Sequence, residues 1–426
     1  MTSYLLMSKS ELERQRETLQ NIYNDFKNKN LSLDMSRGKP CTAQLDISMG
    51  VLDEVTGKSD CSGSNGMDYR NYGLIDGIPE IKDIFADIME VDAENVMVGG
   101  NSSLNMMFDT ISCMVTHGIS GCEPWMKQEN VKFLCPVPGY DRHFSITEYF
   151  GIEMINVPFT NEGPDMDIVE KLVSNDESIK GIWCVPKYSN PQGITYSDET
   201  VKRFARLKPA AKDFRIFWDN AYAIHDLTDI PDRLLSIMHE CKKYGNEDLP
   251  IIFTSTSKIT FPGAGIAAMA CSKNNMAVLK KRYSFQTIGY DKLNQLRHIR
   301  FFKSYNGVMD HMKRHKEILR PKFDCVLDRL NEELDGTGVA SWTNPNGGYF
   351  VSVDVLKGCA KRVVELCSDA GVKLTGAGAT YPYKKDKNDC NIRLAPTYPP
   401  ISELEQAMSL FCVCVRLAAV EKLLAQ

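Results

Sequence analysis

Two apolar runs in this chain end on residues able to do chemistry. In FRIFWDNAY the run closes on Asp219, with Asn220, Ala221 and Tyr222 behind it. In PIIFTSTSK a second run closes on Ser255, Thr256, Ser257 and Lys258, and the Gly-rich FPGAGIA follows. Short apolar runs bounded in this way predict buried strands, and open α/β sheets place their ligand crevice at the carboxyl ends of strands. One strand end then offers a carboxylate and the other an amine. Desolvation at a strand end beside a cationic ring lowers an amine's pKa and frees it to attack a carbonyl. A carboxylate opposite it suits a pyridinium nitrogen.

Pyridoxal 5'-phosphate requires this pair: a Lys for the covalent bond and an Asp that keeps the ring nitrogen protonated, so that the ring serves as an electron sink. A single Lys or strand-end Asp is ordinarily structural, so the neighbours decide. In ENVMVGGNSSLNMMFDTISCMVTH, Gly99 and Gly100 let the backbone turn tightly. Asn101, Ser102 and Ser103 then offer side chains beside the unpaired amides of a helix start, an arrangement suited to phosphate. Taken alone, these three read as helix caps. Tyr140 follows VKFLCPVPG, with His143 three residues on; Asn190 precedes Pro191 after GIWCVP; Tyr222 follows FRIFWD. A ring can stack on a flat cofactor, and an Asn amide with a Tyr hydroxyl can hydrogen-bond a phenolate oxygen. In SRGKP, Gly38 permits close backbone approach and Arg37 or Lys39 could meet an anion; the alternative is a plain turn. Arg393, in the strand-like CNIRLAP, could grip a carboxylate through two parallel hydrogen bonds or form a structural ion pair.

The elements that must position these residues are legible in outline. With 426 residues the chain exceeds what one hydrophobic core supports, which predicts two domains. Its 43% hydrophobic and 25% charged residues are those of a soluble globular protein. A net charge of −5 leaves no basic face for nucleic acid or anionic lipid. The fourteen cysteines occur without a C-x-x-C pair, which predicts reduced thiols in a cytoplasmic protein rather than disulfides or a metal site. The first residues lack the pattern of a signal peptide, and no apolar run is long enough to span a membrane.

A helix is predicted over 8–30, capped by Ser8 and Glu11 with Leu12, Leu19, Ile22 and Phe26 inside. Pro79 should open another helix. Further helices are predicted over 165–174 and 198–212 between buried strands, so the sheet should be mostly parallel. A long charged helix broken near Asn306–Gly307 should bridge the domains. A last helix should start from a capping box at Ser402 and Glu405.

Taken in order, the phosphate-binding helix start, the stacking Tyr, S-N-P-Q-G, W-D-N-A-Y, S-x-S-K and a late Arg resemble the class I/II aminotransferases of fold type I, over nearly the whole chain. SRGKP, RNYGLIDGIPE, GGNSSLNMMFD, PVPGYDRHF and STSKITFPGAGIA are similar to the divergent subgroup Ic of aspartate aminotransferases. That subgroup is related to the aminotransferase-like halves of some transcription regulators. With only the residues before SRGKP to hold one, a DNA-binding domain is not expected, which sets the regulator reading aside.

The resemblance implies the pyridoxal-phosphate-dependent transferase fold: an α/β large domain (51–300) with a mostly parallel sheet, and a smaller α+β domain built from both chain ends (1–50 and 301–426). It implies that Lys258 is the covalent anchor and proton shuttle, that Asp219 pairs with the ring nitrogen, steadied by His143, and that Asn190 and Tyr222 bond the ring oxygen. Tyr140 would stack on the ring. Asn101, Ser102, Ser103, Ser255 and Ser257 would form the phosphate site, with Tyr72 reaching in from a second subunit of a homodimer. Arg393 and Asn190 would hold the substrate α-carboxylate, under a mobile segment carrying Gly38. The implied reaction is ping-pong amino transfer between an L-amino acid, aspartate foremost, and 2-oxoglutarate.

Aromatic or neutral amino acids remain open as substrates, as does lyase or decarboxylase chemistry on the same cofactor, or a binding protein that keeps the fold without turnover. Arg37, Lys39, Arg142 and Arg282 are the candidates for a side-chain carboxylate. One departure stands out: the family commonly reads K-x-x-x-P-G-x-R, with that Arg on the phosphate, whereas KITFPGAG places Gly265 there.

Overall fold

The computed structural model describes residues 3–64 and 66–426. Helix α1 (Lys9–Asn28) begins at Ser8, whose hydroxyl accepts the Glu11 amide while the Glu11 carboxylate accepts the Ser8 amide, closing the predicted capping box. Its buried side is Leu12, Leu19 and Tyr23, with Phe26 partly buried beside them. Ile22, expected inside, is exposed, because one residue along a helix turns the side chain by about 100° and Tyr23 holds the inward position.

Strand β1 (Leu33–Asp34) and helix α2 (Thr42–Asp46) follow. Helix α3 (Pro79–Met89) has Pro79 in its first turn, as predicted. The alternating segment then runs β2 (Val96–Val98), α4 (Ser103–His117), β3 (Lys132–Val137), α5 (Asp141–Tyr149), β4 (Glu153–Thr160), β5 (Gly163–Pro164), α6 (Met166–Asn175), β6 (Ile179–Cys184), α7 (Asp198–Ala205), β7 (Arg215–Asp219), α8 (Ile237–Lys242), β8 (Pro250–Ser255), β9 (Ala267–Cys271) and α9 (Lys273–Tyr283). Helix α7 stops at Ala205, short of the expected 212. Pro209 lacks an amide hydrogen and disfavours helical geometry at the residue before it.

Eight strands form one sheet in the order β2-β9-β8-β7-β6-β3-β4-β5. The five from β8 to β4 pair in parallel, and β9 and β5 pair antiparallel to their neighbours. Alternation along β7 sends Ile216 and Trp218 into one buried layer and Phe217 into the other. Both faces are covered, which is why the central strands read as continuous apolar runs. Asp219, two residues after Phe217, turns toward the same side.

Helices α10 (Lys292–Phe302) and α11 (Tyr305–Leu334) are separated at Lys303 and Ser304, just before the expected Asn306–Gly307. Ser304 caps α11 by accepting the Gly307 amide, and Gly307 serves close packing: a Cβ there would lie 1.9 Å from the Phe302 carbonyl oxygen. Val308 and Met312 of α11 belong to the core of the large sheet, whereas Leu319, Phe323, Val326 and Leu330 belong to a second core. The helix thus joins the two.

That second core is completed by β10 (Ala340–Trp342), β11 (Val351–Val355), α12 (Ala360–Asp369), β12 (Val372–Lys373), β13 (Asn391–Leu394) and α13 (Ile401–Leu424). Strands β10-β11-β13 form an antiparallel sheet, and β1 pairs with β12, tying the N-terminal segment to it. Helix α13 starts directly after Pro400, which takes the N-cap place, so Ser402 lies inside the first turn and the expected Ser402–Glu405 box does not form. All fourteen cysteines are free thiols. Among the described residues no helix is long and apolar enough to cross a membrane, and no group of three metal-binding side chains occurs.

Candidate active site

The carboxyl ends of β7 and β8 bring Asp219 and Lys258 to one crevice. Asp219 is 3% exposed; its Oδ2 lies 2.9 Å from His143 Nε2, while its Oδ1 is buried without a hydrogen-bond partner. His143 is itself fixed: its ring stacks on Trp183 at 4.2 Å and 7°, and its carbonyl accepts the Thr147 hydroxyl, which in turn accepts the Trp183 indole N–H. A buried acceptor with no partner costs roughly 1–3 kcal/mol. Here that acceptor sits at the crevice, where a ring N–H would satisfy it.

Lys258 closes a short 3-10 turn, Thr256–Lys258, at the end of β8. No hydrogen bond or ion pair engages its Nζ among the described residues; the amine stands over the Tyr222 ring at 5.1 Å and the Tyr349 ring at 5.8 Å. Burial pulls its pKa below the ordinary lysine value, with the Asp219 charge opposing. A partly desolvated amine of lowered pKa is the form that attacks a carbonyl. The Tyr222 hydroxyl is pushed upward by burial, as is Tyr140, so both act as neutral phenols. Tyr140 packs edge-on against His143 at 4.9 Å.

Arg393, on β13 and 7% exposed, reaches the same place from the smaller sheet. One terminal nitrogen donates to Asp141 at 2.8 Å and to Asn190 Oδ1 at 3.1 Å, the other to Thr375 at 3.4 Å, and Nε is buried without a partner. The ion pair and the proximity to Asn190 thus occur together. The guanidinium lies 4.8 Å from the Phe350 ring, on which Gly38 also rests: a Cβ at 38 would come within 2.4 Å of that ring.

At the start of α4, Ser102 occupies the N-cap place yet its side chain makes no capping bond. Asn101 is committed to the loop after Lys258, its amide donating to the Pro262 and Gly263 carbonyls. Ser257 donates to the Asn101 carbonyl and Ser255 to the Ser257 hydroxyl, so the two serine-bearing turns adjoin. Tyr72 is 78% exposed and stands outside this cluster. Among the carboxylate candidates, Lys39 lies over the Tyr398 ring at 3.7 Å, and Arg37 and Arg142 are exposed.

Trp183, Asp141, Thr375 and Tyr349 escaped the sequence reading. The one signal was the Trp inside GIWCVP, a large ring one residue before β6 ends at Cys184. The unpartnered Asp219 oxygen, the unbonded Lys258 amine and the serine turns fit pyridoxal phosphate.

Residues 7–426 match the family described as aspartate amino-transferase. The chain is 48% identical to the aspartate aminotransferase of Corynebacterium glutamicum, covering 95% of this chain and 94% of that one. A crystal structure of an aspartate transaminase from C. glutamicum superposes with a TM-score of 0.95 at 46% identity over 98% of both chains. The α-aminoadipate aminotransferase LysN of Thermus thermophilus, solved with N-(5'-phosphopyridoxyl)-L-leucine, shares the fold at a TM-score of 0.74 and 17% identity, covering 92% of this chain and 93% of that one. The chain belongs to the aspartate amino-transferase family and is a transaminase.

Proposed function

We propose that the protein is a cytoplasmic, homodimeric, pyridoxal-phosphate-dependent aminotransferase that moves the amino group of L-aspartate to 2-oxoglutarate in two half-reactions. The observation that carries this reading is Asp219, a buried carboxylate held by His143 at one oxygen and unpartnered at the other. When bound, the cofactor supplies a carbonyl carbon and an electron-withdrawing ring. Asp219 would keep a proton on the cofactor's ring nitrogen through its free oxygen. Lys258 would hold the cofactor's aldehyde carbon covalently, and its Nζ would take and return the proton at the substrate α-carbon. Arg393 and Asn190 would hold the substrate through its α-carboxylate and so orient it toward Lys258. Tyr222 and Asn190 would donate to the ring oxygen, Tyr140 would cover the ring, and Ser102, Ser103, Ser255 and Ser257 would bind phosphate, with Asn101 contributing through its backbone because its side-chain amide is committed to the Pro262 and Gly263 carbonyls. Gly38 lets its segment close over Phe350 and exclude water. Tyr72 reaches the partner's site.

The aspartate assignment rests on the 48% identity to the C. glutamicum enzyme. Aspartate alone should yield one equivalent of oxaloacetate per subunit and then stop; 2-oxoglutarate should restart turnover and yield glutamate. Continuous release of ammonia or carbon dioxide from aspartate alone would replace this reading with lyase or decarboxylase chemistry.

A further inference from the structure

Arg393 spends its donors unevenly. A guanidinium carries five N–H groups in a flat fork, two on each terminal nitrogen and one on Nε. Nη1 meets two acceptors, Asp141 Oδ1 at 2.8 Å and Asn190 Oδ1 at 3.1 Å. Nη2 has one long bond, 3.4 Å to the Thr375 hydroxyl, which itself donates to the Ser36 carbonyl at 2.7 Å. Nε is buried with no partner. A buried donor left unpaired calls for an acceptor. Nε and Nη2 point parallel N–H groups along one edge of the fork, the geometry that takes a carboxylate through two hydrogen bonds. The spent donors are those of Nη1, and the Nε–Nη2 edge keeps its own for a ligand.

Asp141 is the charged group that holds Nη1. Asn190 adds a neutral acceptor, and with its oxygen turned to Arg393 its amide nitrogen is left to donate. Among the described residues the Asp141 carboxylate makes this one hydrogen bond, with the guanidinium 7% and the carboxylate 34% exposed. Asp141 opens α5, where a helix N-terminus favours a negative charge. Two residues along the same turn, His143 holds Asp219. One helical turn beside the large sheet therefore fixes both the carboxylate assigned to the ring nitrogen and the guanidinium that arrives on β13 of the smaller sheet. With the Phe350 ring 4.8 Å from the guanidinium and Asp141 on Nη1, the fork is held in one orientation.

We infer that Asp141 is a positioning residue for amino transfer: it tethers Nη1 of Arg393 and so reserves the Nε–Nη2 edge for the α-carboxylate of the substrate. This rests on the proposed role of Arg393 as the anchor of that carboxylate. Asp141 acts through Arg393 and touches no reacting atom. In the opposite arrangement Asp141 occupies the substrate's place and leaves when the substrate replaces it at Nη1. Nε then stays unpaired, and the effect of removing Asp141 on KM is reversed.

Asp141→Asn and Asp141→Ser remove the charge with residues that suit a helix start. KM and kcat are measured for aspartate and 2-oxoglutarate, or for any amino acid and 2-oxo acid that the protein turns over, since the α-carboxylate is common to all. Both variants should raise KM for both substrates about tenfold, as for a weakened charge-assisted hydrogen bond, with kcat within about threefold of wild type. Arg393→Lys lacks the fork, so adding Asp141→Asn to it should change KM by no more than about twofold. A KM that falls in the Asp141 variants would make Asp141 a competitor of the substrate, and an unchanged KM would leave Arg393 oriented without it. Effects that multiply in the double variant would reduce Asp141 to a structural role. Each of these results overturns the inference while the anchor role of Arg393 stands. Arg393→Lys with a wild-type KM defeats the anchor role itself, and the inference with it.

Discussion

At Asp219 one oxygen is held by His143 and the other waits, and this asymmetry makes the carboxylate a directed partner rather than a salt-bridge member. Replacing it with Asn removes the charge while keeping the shape. Asp219→Asn should lower kcat/KM by about 10²–10³-fold, the usual cost of removing one preorganised electrostatic contact, with little change in Tm. Arg393 makes a second case. Its planar fork spans Asp141, Asn190 and Thr375, a geometry the Lys ammonium cannot reproduce. Arg393→Lys should raise KM for both substrates by at least about tenfold in steady-state assays, consistent with a loss of roughly 1.5–3 kcal/mol. Lys258, Asp219, Asn190 and Arg393 could be read from the sequence because each ends an apolar run or interrupts one. Two partners of Arg393, Asp141 and Thr375, could not: Asp141 lies 252 positions away along the chain, and only the packing of the smaller sheet against the larger brings the two together.

Helix α11 carries a polar network beneath Lys258. Gln44 of α2 donates to His315 Nδ1 and to the Tyr349 hydroxyl, both at 2.9 Å. His315 Nε2 and His311 Nε2 each lie 2.9 Å from the Ile259 carbonyl, and the Tyr349 hydroxyl donates to the Lys258 carbonyl at 3.4 Å. Gln44→Leu would leave the buried His315 Nδ1 without its donor and take from the Tyr349 hydroxyl the bond it accepts, so thermal or urea unfolding should show a loss of about 1–3 kcal/mol. Burial also pushes His315 down to about 3 and His298 on α10 to about 4, from an ordinary 6.5. Both folded values lie below the unfolded one, so the unfolded chain binds more protons across that interval. Stability should therefore be fully present above pH 6.5 and fall as pH drops toward 4. A Tm that held constant through that range would contradict the neutral, buried histidines. At this scale boundaries are legible in the sequence where a cap or a proline marks them, as at Ser8 and Pro79. Gly307 misleads as a break signal: it answers to close packing on the Phe302 carbonyl, while the break lies at Lys303 and Ser304, before the Ser304 cap.

Across the whole molecule, exposed apolar side chains gather on adjoining loops. Tyr72 is 78% exposed, and Phe285 and Ile288 stand out from the neighbouring loop, which Lys292 ties to the Gly73 carbonyl. A surface of this kind marks an interaction site, and the proposed homodimer would cover it. Sedimentation should give twice the 47.9 kDa chain mass, and Phe285→Asp combined with Ile288→Asp should shift the protein to monomer and abolish turnover. The alternation of buried strands and helices made the large sheet legible, because burial on both faces leaves an unmistakable apolar signature. The strand order did not follow from sequence, since hydrophobic runs carry no record of their neighbours.

Lys258 is the group proposed to hold the cofactor and move the proton, and the most direct test of that role is the visible absorption spectrum of the purified protein, titrated with aspartate and then with 2-oxoglutarate, beside Lys258→Ala. A visible band in wild type should vanish on adding aspartate and return with 2-oxoglutarate, and Lys258→Ala should not cycle. Failure of the wild-type protein to bind pyridoxal phosphate, or unimpaired cycling by Lys258→Ala, would contradict it.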